Sequence, residues 1–201
     1  MKLVYPELTA IFIGYLLGSI PFGIIASRLI DGVDPRLKGS GNIGFTNVLR
    51  VAGKRSAIAT LSGDVAKGIV PIFISARLGV SANWMLVTGI ASVLGHCYSS
   101  FLRFKGGKGI ATSFGVIFAL QPLLAFISLF IWISVIYISR YSSLGSLLAF
   151  LFFPINIILF KKGTDYLFFS TLLLIILVIR HKENILRLMS GNENKIGREK
   201  K

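Results

Sequence analysis

The sequence contains few acidic residues, one cysteine and two histidines. Eight of its 201 residues are Asp or Glu, against 22 Lys and Arg. It has no HExxH motif and no cluster of His and Cys, so a metal-assisted phosphotransfer site would lack ligands. A lone Cys97 excludes an internal disulfide. We therefore predict no bound metal and no cofactor.

Polar residues are too few to cover a water-soluble fold, because 54% of the chain is hydrophobic and the mean hydropathy is +0.76. Seven apolar runs recur, at residues 7–29, 57–76, 84–101, 110–119, 122–139, 144–160 and 167–179. The run 110–119 is too short to cross about 30 Å of hydrocarbon as a helix, so we expect it to be tilted, half-buried or broken. The pattern predicts an all-α, polytopic integral membrane protein with about seven transmembrane helices in a single domain, 1–201.

The net charge of +14 does not indicate nucleic-acid binding, because the cations lie in short loops between apolar runs. Seventeen of the Lys and Arg residues fall in the first, third and fifth loops and in the C-terminal tail, against four on the other side. The positive-inside rule then places the N-terminus outside and the C-terminus in the cytoplasm. Three polar regions, residues 37–50, 95–112 and 180–193, are predicted to share the cytoplasmic side.

The first region, LKGSGNIGFTNVLR, combines glycines with hydrogen-bonding side chains. Its glycines would let backbone amides approach a ligand, and a helix beginning near Asn42 would point its positive end at an anion. Arg50 supplies a planar cation. A glycine-rich turn with capping residues explains the pattern equally well. The candidate ligand-binding residues here are Gly39, Ser40, Gly41, Asn42, Thr46, Asn47 and Arg50.

The second region contains RFKGGKGIATS, which is not a Walker A motif because Gly109 follows Lys108 where Ser or Thr is needed. Exposed amides, two lysines and a helix beginning near Ile110 would still suit a phosphomonoester. The alternative is that the lysines only anchor the loop at lipid headgroups. Packing or capping explains His96 better than catalysis does. The candidate binding residues are Lys105, Gly106, Gly107, Lys108 and Gly109.

The third region places His181 just after the last apolar run and Asn184 three residues later, on the same helical face. Glu193 is expected to pair with a nearby cation in a structural role. Elsewhere, Ser143 and Ser146 offer hydroxyls at the start of a span, although helix capping explains them almost as well. Asp64 and Lys67, three residues apart inside a span, are predicted to form a structural ion pair.

Backbone amides, hydroxyls, cations and one histidine at a membrane surface suit attack by an alcohol of a phosphorylated substrate on an activated acyl group. The common soluble-headed glycerolipid acyltransferases need an Asp four residues after a His, which HCYSSF and HKENIL lack. A transporter is an alternative, but its polar groups should lie near the midplane. A non-catalytic scaffold would not need His181 or Lys108.

Together, GSGNIGFTN with Arg50, GHCYSSFLRFKGGKGIAT and RHKENILRLMSGNE resemble the three signature motifs of the bacterial acyl-phosphate:glycerol-3-phosphate acyltransferase family, PlsY. The resemblance implies transfer of an acyl group from acyl phosphate to the 1-position of sn-glycerol 3-phosphate. The products would be lysophosphatidic acid and inorganic phosphate, in the first committed step of bacterial phospholipid synthesis. It also implies location in the bacterial inner membrane, an active site facing the cytoplasm, and delivery of the donor by a soluble acyl-phosphate synthase.

The resemblance also implies roles for particular residues. Ser40 and Arg50 would be essential in the first motif, Lys108 with its neighbouring glycines would bind glycerol 3-phosphate, and His181 and Asn184 would be essential in the third. No His or acid adjoins Ser40 in sequence, which favours direct transfer over an acyl-enzyme. The base is either neutral His181 or the departing phosphate.

Overall fold

A computed structural model describes residues 5–197 of the chain. These residues form helices and loops without a strand, which confirms the predicted all-α class. One 3-10 turn, Ser100–Leu102, lies between the fifth and sixth helices. The α-helices are α1 (Pro6–Ser19), α2 (Phe22–Asp31), α3 (Phe45–Val51), α4 (Lys54–Arg77), α5 (Ala82–Cys97), α6 (Ile110–Leu120), α7 (Pro122–Ser139), α8 (Ser142–Leu159), α9 (Thr164–Arg180) and α10 (Lys182–Met189).

The helical segments that are long and apolar enough to cross a bilayer are Pro6–Asp31, Lys54–Arg77, Ala82–Leu102, Pro122–Ser139 and Ser142–Leu159. A sixth is added if α9 and α10, which meet at a 64° bend, are counted as one span. The short run is a continuous helix of 11 residues, α6, so it is not broken, and one side of it is buried. Seven spans and the orientation of the termini stay predictions.

The chain divides into two compact units, Met1–Leu120 and Gln121–Lys201. Helices α1 to α6 belong to the first unit and α7 to α10 to the second. Of the candidate residues, those of the first two polar regions lie in the first unit, and those of the third region lie in the second. The expectation of a single domain remains a prediction.

Glycines bring helices of the first unit into backbone contact. Gly14 and Gly18 on α1 lie against α5, where a side chain at Gly18 would overlap the backbone of Ser92. Gly68 on α4 lies against α6, where a side chain would overlap the carbonyl of Thr112. Small residues at four-residue spacing are typical of close membrane helix pairs. These contacts fix α5 and α6, which carry the second polar region.

A break between α1 and α2 is built around the Ile20–Pro21 bond. Ile20 has extended backbone angles, φ −60° and ψ 122°, as expected for a residue before proline. Its carbonyl oxygen accepts a hydrogen bond from the Lys67 Nζ at 2.8 Å. The carbonyl of Ser19 accepts one from the Ser99 hydroxyl at 2.5 Å. The break is therefore tied to α4 and to the start of the second polar region.

The second unit packs around aromatic side chains on α8 and α9. Phe153 meets Phe150 and Phe169 edge to face, with ring centroids 6.4 and 6.5 Å apart. On α7, the Trp132 Nε1 donates to the Ser146 hydroxyl of α8 at 3.1 Å. This core holds α8 and α9, whose ends carry the candidate polar residues of the unit.

Candidate active site

Asn47 holds the first loop, which we define as residues 35–44. It lies on α3 and is 2% exposed. Its Oδ1 accepts the backbone N–H of Ser40 at 2.9 Å. Its Nδ2 donates to three backbone carbonyls of the loop, at 2.9, 3.1 and 2.9 Å, those of Pro35, Lys38 and Asn42. One amide joins four points of the loop, so this geometry favours a positioning role for Asn47, and its contact with substrate stays a prediction.

The glycines on either side of Ser40 turn the loop back on itself. Gly39 and Gly41 have φ of +63° and +70°, which side-chain-bearing residues rarely adopt. A Cβ at Gly39 would also overlap the Oδ1 of Asn47. Ser40 is consequently exposed at the tip of the loop, with its position fixed through its backbone.

Two amides that we expected to face a ligand are used within the loop. The N–H of Gly41 donates to the carbonyl of Lys38 at 3.2 Å, and the N–H of Gly44 donates to the Asn42 Oδ1 at 2.8 Å. The expectation that these glycines present their amides to a substrate is therefore not met. The Asn42 turn also delays the helix, so α3 begins at Phe45 and not near residue 42.

Thr46 and Arg50 lie one turn apart on α3 and so share a face of the helix. Both are half-buried. Among residues 5–197, no carboxylate forms an ion pair with Arg50. No carboxylate of these residues therefore offsets the guanidinium beside the first loop, as a site for an anion requires.

Asp34 anchors the chain where it enters the first loop. Its carboxylate accepts the backbone N–H of Arg36 at 3.0 Å, and its Oδ2 lies 2.6 Å from a guanidinium nitrogen of both Arg36 and Arg28. The side-chain hydrogen bond from Arg36 holds the pKa of Asp34 well below its usual value, against the opposing effect of burial. The carboxylate is thus neutralised locally and does not oppose the charge of Arg50.

The second loop, which we define as residues 103–109, returns to the end of α5. The N–H of Gly106 donates to the carbonyl of Cys97 at 3.1 Å, and the N–H of Gly107 donates to that of His96 at 3.0 Å. A side chain on either glycine would overlap the residue opposite. These amides do not face a ligand, which corrects the expectation for Gly106 and Gly107. Their small size permits close packing instead.

The second loop also carries cationic side chains of a kind that binds anions. Lys105 is exposed and Lys108 is half-buried. Gly109, with φ +86°, leads into α6, which begins at Ile110 as predicted. The loop therefore places two lysines beside the positive end of a helix, an arrangement that attracts phosphate.

A buried ionic group lies behind the second loop. The Lys67 Nζ is 2.9 Å from the Asp64 Oδ1, and both side chains are almost fully buried, which confirms the predicted pair. The same carboxylate oxygen lies 3.6 Å from the Nδ1 of His96. The sequence did not indicate this third member, because His96 lies on the next helix, about 30 residues after Asp64.

In the second unit, His181 occupies the 64° bend between α9 and α10. It is 2% exposed, and its Nδ1 lies 2.8 Å from the carbonyl oxygen of Leu177. Because a carbonyl only accepts, Nδ1 carries the proton in this contact. A neutral His181 then has its basic lone pair on Nε2, which suits it to accept a proton or a hydrogen bond.

Glu193 gathers three polar side chains of the second unit. Its Oε2 accepts from the Arg187 Nε at 2.8 Å, which confirms the predicted pairing with a cation. Its Oε1 accepts from the Asn184 Nδ2 at 2.7 Å and the Ser143 hydroxyl at 2.8 Å. Burial raises the pKa of Glu193, but these hydrogen bonds outweigh burial and leave the pKa below its ordinary value. The ionised carboxylate therefore orients Asn184.

Neither serine predicted as a ligand on α8 has an idle hydroxyl. Ser143 donates to Glu193, as described above. The Ser146 hydroxyl donates to the carbonyl of Ser142 at 2.9 Å and accepts from Trp132. Both hydroxyls therefore have structural partners, and the roles of the two serines as substrate ligands stay predictions.

Within the described part of the chain, residues 5–197, no group of three or more His, Cys, Asp or Glu side chains is placed to hold a metal ion. The predicted groups that suit binding an anion or orienting a hydroxyl are the hydroxyl of Ser40, the cations of Arg50 and Lys108, and the polar side chains of His181 and Asn184.

Comparison with known proteins places these groups in a family. The family described as glycerol-3-phosphate acyltransferase matches residues 8–191, a range that includes all five of these residues. The chain belongs to the glycerol-3-phosphate acyltransferase family. It is 44% identical to the glycerol-3-phosphate acyltransferase of Dechloromonas aromatica (strain RCB), with 96% of this chain and 97% of the relative covered. It is 41% identical to that of Geobacter sulfurreducens (strain ATCC 51573 / DSM 12127 / PCA), with 94% and 97% covered.

The fold of this glycerol-3-phosphate acyltransferase family member is also that of a solved structure. The crystal structure of PlsY (YgiH), an integral membrane glycerol 3-phosphate acyltransferase, in its glycerol 3-phosphate form aligns with a TM-score of 0.89 and 39% identity over 95% of this chain and 96% of that one. Its lysophosphatidic acid form aligns with a TM-score of 0.86 and 37% identity, over 95% of each chain. The resemblance seen in the three motifs is thereby confirmed, and the protein is an integral membrane acyltransferase.

Proposed function

We propose that the protein transfers an acyl group from acyl phosphate to the 1-position of sn-glycerol 3-phosphate, giving lysophosphatidic acid and inorganic phosphate. The observation that carries this proposal is the similarity, over nearly the whole chain, to PlsY in its glycerol 3-phosphate form. The cationic loops supply the chemistry that two anionic reactants require. The reaction would begin bacterial phospholipid synthesis in the inner membrane, with the reactants arriving from the cytoplasm.

In the first unit, we assign phosphate binding to Lys108 and Arg50, assisted by Lys105, Thr46 and the entrance to α6. Lysine acts as a point charge, and the arginine fork binds two phosphate oxygens at once. Ser40, exposed between two glycines, would donate a hydrogen bond that orients a reactant. The hydrogen bond from the Ser40 N–H to Asn47 fixes the backbone position from which that hydroxyl projects.

In the second unit, we assign His181 and Asn184 to binding and orienting the glycerol hydroxyls. The C1 hydroxyl oxygen attacks the acyl carbon, a new ester C–O bond forms, and the bond from that carbon to the phosphate oxygen breaks. The hydroxyl proton passes to the departing phosphate, which is anionic and adjacent to the reacting atoms. In this assignment the Nε2 of His181 accepts a hydrogen bond, and the contact of its Nδ1 with Leu177 keeps the ring in the required tautomer.

Purified protein in detergent tests the proposal directly. Acyl phosphate and glycerol 3-phosphate together should release inorganic phosphate and form lysophosphatidic acid, whereas acyl-CoA should not replace the donor. The variants Ser40→Ala, Arg50→Ala, Lys108→Ala and His181→Ala should each lower the rate by about 100-fold or more while the protein remains inserted. Full activity of Ser40→Ala and Lys108→Ala would refute the assigned residues, and activity with acyl-CoA alone would refute the donor.

A soluble acyl-phosphate synthase is the proposed source of the donor. Acyl phosphate carries a long chain and a reactive anhydride, so direct transfer from such a synthase would limit its hydrolysis in water. Co-purification of the two proteins from cross-linked membranes would support this contact. Equal rates with free and synthase-generated donor would argue against it.

A further inference from the structure

We propose that Asp64 positions the second loop for glycerol 3-phosphate by holding His96. Asp64 and His96 would then be positioning residues, neither of them in contact with the substrate. This inference rests on the proposed function, in which the second loop binds the phosphate. It concerns only residues of the first unit.

The Asp64 carboxylate is fixed in place by contacts that a lipid-facing group would lack. It pairs with the Lys67 Nζ at 2.9 Å, and the side chains of the two residues are 3% and 2% exposed. The same Nζ also donates to the carbonyl of Ile20 at the break between α1 and α2. Buried charges are costly unless paired and hydrogen-bonded, so this group has one favourable arrangement.

The pair of Asp64 and Lys67 already joins α4 to the break between α1 and α2. The Asp64 carboxylate nevertheless also approaches α5. The Asp64 Oδ1 lies 3.6 Å from the Nδ1 of His96, and His96 is itself 3% exposed. Ser92, one turn earlier on α5, donates to the backbone carbonyl of Lys67 at 2.6 Å. Ser92 therefore ties α5 to α4 one turn before His96, and the Asp64 carboxylate makes an electrostatic contact with the His96 ring that is longer than a hydrogen bond.

His96 meets the second loop through its backbone and through its ring. Its carbonyl accepts the N–H of Gly107 at 3.0 Å. The ring lies against the Cα of Gly107, since a Cβ there would overlap the Nε2. Lys108 is the next residue, so a shift or rotation of the ring displaces the backbone that carries this lysine.

The expected consequence is selective. A displaced Lys108 weakens the binding of the phosphate substrate, and a misplacement of about 1 Å costs up to about 100-fold in rate. The contacts of Asp64 with His96, and of His96 with Gly107, lead to the second loop, which holds the phosphate of glycerol 3-phosphate in the proposed function. The KM for glycerol 3-phosphate should therefore change more than the KM for acyl phosphate.

The first experiment compares Asp64→Asn with Ser75→Ala. Ser75 is also a fully buried polar residue on α4, but among residues 5–197 its hydroxyl bonds only to the carbonyl of Pro71 in the same helix. We expect Asp64→Asn to raise the KM for glycerol 3-phosphate about tenfold, with the KM for acyl phosphate changed less than about twofold. Ser75→Ala should leave both values unchanged. A fall in kcat and melting temperature with both KM values unaltered would overturn the proposal and leave Asp64 a purely structural residue.

A second experiment tests whether the His96 ring positions Gly107, and it can be carried out even if Asp64→Asn fails to fold. Gly107→Ala places a methyl group against the His96 ring, and His96→Ala removes that ring. We expect KM for glycerol 3-phosphate to rise about 100-fold in Gly107→Ala and about tenfold in His96→Ala, with the double variant no worse than His96→Ala. Independent effects, which would multiply in the double variant, would show that the ring does not position Gly107 and would overturn the proposal.

Failure of this inference is distinguishable from failure of the proposed function. If the unsubstituted protein releases no phosphate from acyl phosphate and glycerol 3-phosphate, the proposed function fails. Calorimetric titration of glycerol 3-phosphate, without any donor, then still tests the binding role of the loop. If the unsubstituted protein is active but Asp64→Asn binds glycerol 3-phosphate normally, only the positioning role fails.

Discussion

The first loop is organised by the buried side chain of Asn47, and the polar cluster of the second unit is organised by that of Glu193. The two organising side chains differ in charge. Asn47 is neutral and binds mainly backbone carbonyls of its loop. Glu193 is a carboxylate and binds the side chains of Ser143, Asn184 and Arg187. The neutral centre fixes the path of the main chain at any pH, whereas the charged centre fixes side-chain directions only while it is ionised.

The largest effect is expected from replacing Asn47. Asn47→Ala removes the four hydrogen bonds that join the Asn47 side chain to the first loop, and kcat/KM should fall about 100-fold because Ser40 loses its position. Asn47→Asp should be no better, since a carboxylate cannot donate to the three carbonyls. Phosphate release measures both, with the exposed Asn83→Ala as control. Activity of Asn47→Ala within about tenfold of the unsubstituted protein would contradict the role of this residue.

Replacing Glu193 should have the next largest effect, on stability. Glu193→Ala leaves Asn184 and Ser143 without their acceptor and Arg187 without its close partner, which should cost about 2 kcal/mol of unfolding free energy. Glu183→Gln is the matched control, because Glu183 approaches the same arginine at 3.7 Å with an exposed side chain. Its effect should stay below about 1 kcal/mol. Thermal unfolding in detergent measures the stability of both variants. Equal losses of stability would show that Glu193 contributes no more than the exposed Glu183.

Low pH should weaken the contacts of Glu193 but not those of the neutral Asn47. The folded-state pKa of Glu193 lies below its ordinary value of 4.5, so its contribution to stability is present above pH 4.5 and is lost as pH falls below that value. The melting temperature of the unsubstituted protein should therefore decline in this range more steeply than that of Glu193→Gln. Parallel declines in the two proteins would show that Glu193 is not the group responsible.

A smaller effect should distinguish backbone strain from loss of the Asn47 contact. Gly39 and Gly32 have nearly equal φ, +63° and +65°, but only a Cβ at Gly39 meets the Asn47 amide. Gly32→Ala should cost about 1 kcal/mol of stability without loss of activity. Gly39→Ala should in addition lower kcat/KM about tenfold. Similar activities in the two variants would show that the overlap is absorbed by the loop.

The smallest effect is expected at Asp34, whose partners Arg28 and Arg36 are exposed. Asp34→Asn should change stability by less than about 1 kcal/mol, and the difference should shrink in about 0.5 M salt because exposed ion pairs are screened. Unfolding at two salt concentrations measures this. A large loss of stability that does not depend on salt would contradict this prediction and show that Asp34 behaves as a buried charge, as Glu193 does.

Local sequence patterns predicted the features that depend on near neighbours. The spacing of Asp64 and Lys67 correctly predicted their ion pair, and the glycine before Ile110 correctly predicted the start of α6. The direction of loop amides was not predictable in this way. The N–H groups of Gly106 and Gly107 are taken by carbonyls about ten residues earlier, which requires the loop to fold back onto α5.

Long-range partners explain the remaining differences. Glu193 was expected to meet a cation near it in sequence, and it does, but its contact with Ser143 spans 50 residues. His96 meets Asp64 because α5 packs on α4, where Ser92 donates to the carbonyl of Lys67. No periodicity within one segment contains that information.

The short helix α6 has a consequence for the surrounding lipid. Its 11 residues extend about 16 Å, roughly half of the 30 Å hydrocarbon layer, and Phe118 on its surface is 43% exposed. The bilayer beside so short an apolar surface is expected to become thinner, with its headgroups closer to the membrane centre. Such a dimple would let water and dissolved ions reach the lysines of the second loop below the level of the neighbouring membrane surface.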